Sequence, residues 1–407
     1  MRSARNLARS RYPVKVRETL FVCLALLLVM AGNHLVSPLY PLYQTRFGLT
    51  TSAITLVASV FGLSLIPAML AAGRLADRYG RLSVLWAGLA ALLLGDLVFA
   101  AASSFGWLIA GRLLQGLGIG AFFGPSTALA SDLADPRRHD AAPLGAAVAS
   151  MVGLGAGPLG AGLLVQAGIA PMVLPFVLHA GLLLVAAGLL RLAVARGSGA
   201  SRTAGPAQQV VGHDRPAMRR LVIGAGVAAW AIGGLLLSLL PTILSPAFGR
   251  TSSLIGGIAL ATLTAAGAAG QVAAYRWPSA RALGLGGLTE ALGFGLLVVA
   301  LALNAVPLIV IATGLCGLGL TGVQRGGFGL LIECTPPSHK AWAISLFLAC
   351  GYFAGNVLVL AFGVVADAAG LLMALRLHAA AFASLLLVLS GAVLARSRPR
   401  LATEVSR

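Results

Sequence analysis

Long apolar runs alternate with short polar interruptions along nearly the whole chain. A helix that crosses a membrane needs about 20 consecutive apolar residues. Twelve runs approach or exceed that length: 18–43, 51–73, 82–103, 106–131, 142–167, 171–193, 219–245, 252–273, 283–303, 306–332, 341–366 and 370–395. Most connectors are short. The exception, 195–217 (ARGSGASRTAGPAQQVVGHDRPA), is rich in Gly, Ser and Ala and reads as a flexible linker between six runs and six. The pattern predicts an all-α membrane protein with twelve transmembrane helices in two six-helix units, 1–194 and 218–407.

The two units echo each other at a shift of 201 residues. Phe47-Gly48 with Thr50-Thr51-Ser52 matches Phe248-Gly249 with Thr251-Ser252-Ser253. Gly116 and Gly118 match Gly317 and Gly319, and Asp132 and Pro136 match Glu333 and Pro337. Parallel six-helix repeats with a substrate site between them near the midplane are a transporter architecture.

Composition then excludes other classes. Of the 407 residues, 58% are hydrophobic and only 10% charged, with mean hydropathy +0.94; soluble proteins carry about a quarter charged residues. The net charge of +18 is topological. With the N-terminus inside, 24 of the 29 basic residues fall on cytoplasmic segments, Arg46 and Arg250 on outer loops, and Arg112, Arg325 and Arg376 within spans. This asymmetry follows the positive-inside rule. It predicts a multi-pass protein of the cell (inner) membrane with both termini cytoplasmic, the lipid bilayer as its surroundings and no nucleic-acid partner. The basic start followed by an apolar run to Tyr43 reads as an uncleaved first span. Cys23, Cys316, Cys334 and Cys350 lack metal or redox spacing and read as small apolar residues. No cofactor or metal site is expected; GLGLGG at 283–288 lies in an apolar span, not after a strand.

Residues 73–82, GRLADRYGRL, concentrate four charges in the interruption between the second and third runs. Gly73, Asp77, Arg78, Gly80 and Arg81 resemble the signature loop of the major facilitator superfamily, and the 6+6 layout extends that resemblance over nearly the whole chain. Arg112 with Gln115, Gly116, Gly118 and Gly120 resembles the fourth-helix motif of the twelve-helix drug–proton antiporter branch. Gly153, Gly157, Pro158 and Gly160 resemble its fifth-helix motif, with Ala161 where a second glycine is typical. The resemblance implies that the 73–82 stretch closes the cytoplasmic side against helix 11 and that Arg81 pairs with an acid at the end of helix 4, where Asp132 stands. In physical terms Gly73 permits close helix approach, and Asp77 suits the free amides of a helix N-terminus. Ser338 is a candidate cap just before helix 11. The counterpart in the second half, GQVAAYRWPSAR, has no acid, so the expected gate is asymmetric. Gly153 and Gly157 allow tight crossing, while Pro158 removes a backbone bond and bends its helix.

Charges within spans carry most of the functional signal. In the fold that the resemblance implies, helices 4 and 10 line the cavity, which would bring Arg112 and Arg325 to it; Gln115 shares the Arg112 face. Asn33, Ser37 and Tyr40 fall on one face of helix 1. His34 points about 100° away and is either a proton carrier or a packed neutral residue. Asp96 and Glu290 are the only acids well inside spans and are candidates for internal pairing or for proton coupling, as is Arg112. Trp230, Tyr352 and Asn356 are candidate substrate contacts. Arg325 needs a counter-charge: a backbone carbonyl, Glu290, or the cargo, which is the expectation here. The function that results is proton-coupled antiport efflux of a small organic compound by a monomer, with anionic, zwitterionic or neutral amphipathic cargo. Proton-coupled uptake of a carboxylated metabolite is the nearest alternative. A membrane-embedded transferase would require clustered His, Asp or Ser near one interface, and the six histidines are scattered.

Overall fold

The computed structural model describes residues 16–134, 141–197, 214–336 and 339–397. Linker residues 198–213, the candidate cap Ser338, and Pro136 and Pro337 of the repeat lie outside them, as do 1–15 and 398–407. Among the described residues, all regular structure is helical. The first half contains α1 (Val16–Ala31), α2 (Tyr40–Phe47), α3 (Thr51–Tyr79), α4 (Arg81–Ala100), α5 (Phe105–Asp132), α6 (Ala141–Ala167) and α7 (Leu174–Gly197). The second contains α8 (Pro216–Phe248), α9 (Ser252–Ala273), α10 (Ser279–Ala302), α11 (Val306–Glu333), α12 (Lys340–Ala369), α13 (Leu371–His378) and α14 (Ser384–Ser397). Among the described residues, eleven helical stretches are long and apolar enough to cross a membrane. The last of them joins α13 to α14 through a π turn at Ala379–Ala383. The first expected span is also helical but broken. Between α1 and α2 the chain leaves the helix after Ala31 and re-enters through a single 3₁₀ turn, Ser37–Leu39. Pro38 and Pro41 there lack the amides that a continuous helix would use.

A second departure concerns the 73–82 stretch. Leu, Ala and Arg are good helix formers, and α3 runs on through Asp77 and Arg78 to Tyr79. The expected loop shrinks to Gly80, whose φ of 85° suits glycine and ends one helix as the next begins. This loop marks one end of the bundle, called here the basic end. The other end carries the α2–α3, α8–α9 and α12–α13 junctions.

The internal repeat is visible as equivalent contacts. A side chain on Gly116 would overlap Phe61 and Ser64 of α3, and one on Gly317 would overlap Leu263 of α9. Gly118 meets α4 at Gly88 and Leu92, and Gly319 meets α10 at Glu290. The halves themselves join at the end opposite the basic end. There Gly162 of α6 abuts Ser253 of α9, and Gly363 of α12 abuts Ser52 and Thr55 of α3. Both pairs are related by the shift of 201 residues. Asp367 finishes this closure, because its two oxygens accept from the Thr51 and Ser52 amides at 2.8 and 2.9 Å. Those amides are unsatisfied N-terminal donors of α3, so a carboxylate from the other half caps the helix.

Candidate functional site

Between the halves lies a cavity of about 320 Å³. Its walls come from the first-span break, α3, α5 and α6 on one side and α8, α9, α11 and α12 on the other. Asn33, His34, Trp230, Tyr352 and Asn356 all line it. The 100° separation expected between Asn33 and His34 does not apply, since residues 32–36 are not helical. Ser37 instead donates to the Leu237 carbonyl at 3.0 Å, across the seam between the halves. Trp230 and Tyr352 form a tilted pair with centroids 4.3 Å apart. Asn356 donates to the Tyr352 carbonyl at 2.7 Å and sits beside Gly62, a position too close for any side chain. Among the described residues, no charged side chain lines the cavity. Three buried polar atoms on its wall, Asn33 Oδ1, His34 Nδ1 and Trp230 Nε1, have no hydrogen-bond partner among the described residues.

The charged candidates lie elsewhere. Arg112 is fully buried behind the cavity wall. Its Nη1 donates to the Asn33 carbonyl at 3.0 Å and to Gln115 Oε1 at 3.3 Å, and the guanidinium stacks over Phe61, 4.5 Å from the ring centroid. The break in the first span explains this placement, because it frees a carbonyl for the arginine. Gln115 passes the contact on, donating from Nε2 to Asp96 Oδ1 at 3.1 Å. Asp96 Oδ2 meets His179 Nδ1 at 2.6 Å, and His179 Nε2 lies 3.2 Å from the Leu28 carbonyl. Asp96 therefore has an internal partner, and that partner was missed in the sequence, where a lone histidine in an apolar span gives little signal.

Arg325 is placed in a second cleft of about 330 Å³ near the basic end, with Gln271, Trp277, Ser279 and Gln324. Its Nε donates to the Ala274 carbonyl at 2.6 Å and its Nη2 to the Tyr275 carbonyl, while Tyr275 stacks at 5.1 Å. Of the three counter-charges considered, backbone carbonyls at a helix end are the ones it meets. Glu290 is fully buried on α10, and neither carboxylate oxygen has a partner among the described residues. A buried polar group left unsatisfied costs about 1–3 kcal/mol. Glu290→Met should therefore raise the thermal midpoint of the purified protein. A lower midpoint would reveal a favourable interaction of the carboxyl.

The residues of the expected gate divide as well. Arg81 and Asp132 form an ion pair across α4 and α5. The corresponding position in the second half uses a neutral donor, Ser279 Oγ bonding Glu333 Oε1 at 2.6 Å. Gly73, Asp77, Arg78 and Gly80 are exposed, and nothing lies within 4 Å of where a Gly73 side chain would project. The close approach expected of Gly73 is thus not made here; α3 meets α12 instead at Ser52, Thr55, Ser59 and Gly62. On α6, Gly153 and Gly157 pack against the α1 backbone at Leu27 and Ala31. Gly155, Pro158 and Gly162 pack against α9. The small-residue run thus serves two interfaces, and the helix continues through Pro158.

Two helical halves with equivalent internal contacts, closed together at one end around a central cavity, form a transporter architecture. The chain matches the Major Facilitator Superfamily over residues 22–355 and belongs to it. It is 38% identical over 109 residues to a triacylglyceride transporter of Mycobacterium tuberculosis, a stretch covering 26% of this chain and 21% of that protein. It is 32% identical over 97 residues to the bacillibactin exporter of Bacillus subtilis, covering 23% of this chain and 24% of the exporter. These matches span about a quarter or less of each relative's length. Among solved structures, a D-xylose–proton symporter superposes with TM-score 0.71 at 14% identity, over 93% of this chain and 97% of that one. A bacterial homologue of the human lysosomal transporter Spinster gives TM-score 0.71 at 15% identity, over 96% and 98%. At these identities the solved structures establish the fold.

Proposed function

We propose that the protein exports a neutral, largely apolar small compound by alternating access, in exchange for protons. The uncharged cavity wall carries this reading. An anionic cargo would leave its charge in an apolar space without a counter-ion, which is strongly unfavourable. A neutral compound with one or two hydrogen-bonding groups suits the unpaired Asn33 Oδ1, His34 Nδ1 and Trp230 Nε1. The basic end is the cytoplasmic one by the positive-inside rule, so the conformation is open inward, and Asp77 waits for the inward gate to close. The two six-helix units, 1–194 and 218–407, move as bodies around the cavity, joined by the linker. One relative is named a triacylglyceride transporter and another an exporter, which fits export of an apolar compound.

One observation favours a second reading, uptake or export of a carboxylate. Gln271, Gln324 and Phe328 belong to both the cavity and the Arg325 cleft, so an acid group at Arg325 would adjoin an apolar body in the cavity. Flux of matched aryl acids and their methyl esters in proteoliposomes under an imposed pH gradient separates the two. The neutral reading predicts at least tenfold preference for the esters, and Arg325→Gln should lower both rates alike. Preference for the acids, lost selectively in Arg325→Gln, would replace it by the carboxylate reading.

A further inference from the structure

The buried contacts of His179 specify a protonation state. A carbonyl oxygen only accepts hydrogen bonds, as does an ionised carboxylate, and a neutral imidazole has a single N–H. His179 presents one ring nitrogen to the Leu28 carbonyl and the other to Asp96 Oδ2. With neutral imidazole and ionised Asp96, one of these contacts would set lone pair against lone pair. One added proton removes the conflict, whether the pair is imidazolium with carboxylate or imidazole with carboxylic acid. Arg112 can only donate, so Gln115 Oε1 faces it and Gln115 Nε2 faces Asp96 Oδ1. The added proton therefore belongs between Oδ2 and Nδ1. Asp96 and His179 are 1% and 2% exposed, which keeps the pair out of water.

The same ring touches the moving part of the first span. The Gly32 amide, which a continuing helix would give to Leu28, bonds the Val29 carbonyl at 3.2 Å. Leu28 is thus free to receive His179, and a side chain on Gly32 would overlap the imidazole. One turn on, the Asn33 carbonyl is held by Arg112. Two freed carbonyls, Leu28 just before the break and Asn33 within it, are therefore gripped by one network, and the break carries Asn33 and His34 into the cavity wall.

We propose that Asp96 and His179 together are the proton-binding site of the transporter, and that their proton fixes the first-span break and with it the cavity wall. This rests on the proton-coupled reading above. The proton enters between Oδ2 and Nδ1 from the outside and leaves from there to the cytoplasm. After it leaves, His179 keeps either Leu28 or Asp96 but not both, and the segment from Gly32 to Val36 is released. Along this network the ionisable group next to the pair is Arg112 on α5, reached through Gln115, and Tyr40 and His34 in turn face Arg112; α6 contains none.

The test uses the full chain in lipid nanodiscs, with the four native cysteines replaced by alanine and spin labels at Tyr79→Cys and Trp342→Cys. These sites are 58% and 55% exposed on the basic ends of α3 and α12. The label distance should shift between pH 5 and 9, and both Asp96→Asn and His179→Gln should lose that shift. A purely structural role for His179 would offset the distance at every pH and keep the shift. In the unmodified chain, ¹⁵N-histidine spectra should show one of the six imidazoles titrating along with the transition. Retention of the wild-type midpoint in both variants, or no histidine titrating with it, overturns the assignment while leaving proton coupling intact. Wild-type flux that ignores an imposed pH gradient overturns the coupled reading and the assignment together.

Discussion

Gly363→Val should hold the transporter open at the end that is closed here and lower flux at least tenfold. A β-carbon at position 363 would lie 2.9 Å from Ser52 Cα and overlap the Thr55 hydroxyl. Backbone cannot yield as a flexible side chain can, so α3 and α12 must part. Overpacking of this kind costs about 1–3 kcal/mol, which displaces the conformational equilibrium by roughly 5- to 150-fold. Gly162→Val should act alike at the other seam, where a β-carbon would lie 2.5 Å from the Ser253 carbonyl oxygen. Labelling of Leu237→Cys with a membrane-impermeant maleimide from outside provides the measurement, since Leu237 faces the cavity beneath the closure. Labelling should rise at least fivefold in both variants. Unchanged labelling would mean that these seams do not govern opening.

Arg112→Ala should abolish flux driven by a pH gradient while leaving cargo affinity within about threefold, because Arg112 is a support of the wall and not part of it. The substitution frees the Asn33 carbonyl, removes the cation from the Phe61 face and strands Gln115. A buried acceptor left without its donor costs about 1–3 kcal/mol, so a lower thermal midpoint is also expected. Binding is read by ligand-induced stabilisation with the preferred ester, and coupling by the dependence of flux on the imposed gradient. Lost binding with intact coupling would instead make Arg112 a direct cargo contact.

The helical spans and the internal repeat were legible because both are written in long patterns, apolar runs and matched small residues. The break in the first span was not read, although Gly32, Pro38 and Pro41 mark the place, since the apolar run resumes beyond it and its cause is shared with partners on α5 and α7. That break undid the helical-face reading of Asn33, His34, Ser37 and Tyr40. Arg325 was marked as needing a counter-charge, but carbonyl partners, such as those that Arg112 and Arg325 meet, leave no trace in sequence. Gly153 and Gly157 make the tight crossing expected of them, whereas exposed Gly73 makes no close approach here. The Gly162–Gly363 correspondence was readable at the same 201-residue shift as Ser52 and Ser253. His179 and Asp367 belong to none of the motifs or repeats read from the sequence.

The uncharged cavity wall has an electrical consequence. A neutral passenger leaving against one entering proton moves one net positive charge into the cell per cycle. Each 100 mV of membrane potential then contributes about 2.3 kcal/mol, as much as roughly 1.7 pH units at 1.36 kcal/mol each. Export would continue in alkaline surroundings, where the pH difference collapses and the voltage remains. A passenger bearing a positive charge would cancel that current and depend on the pH difference alone.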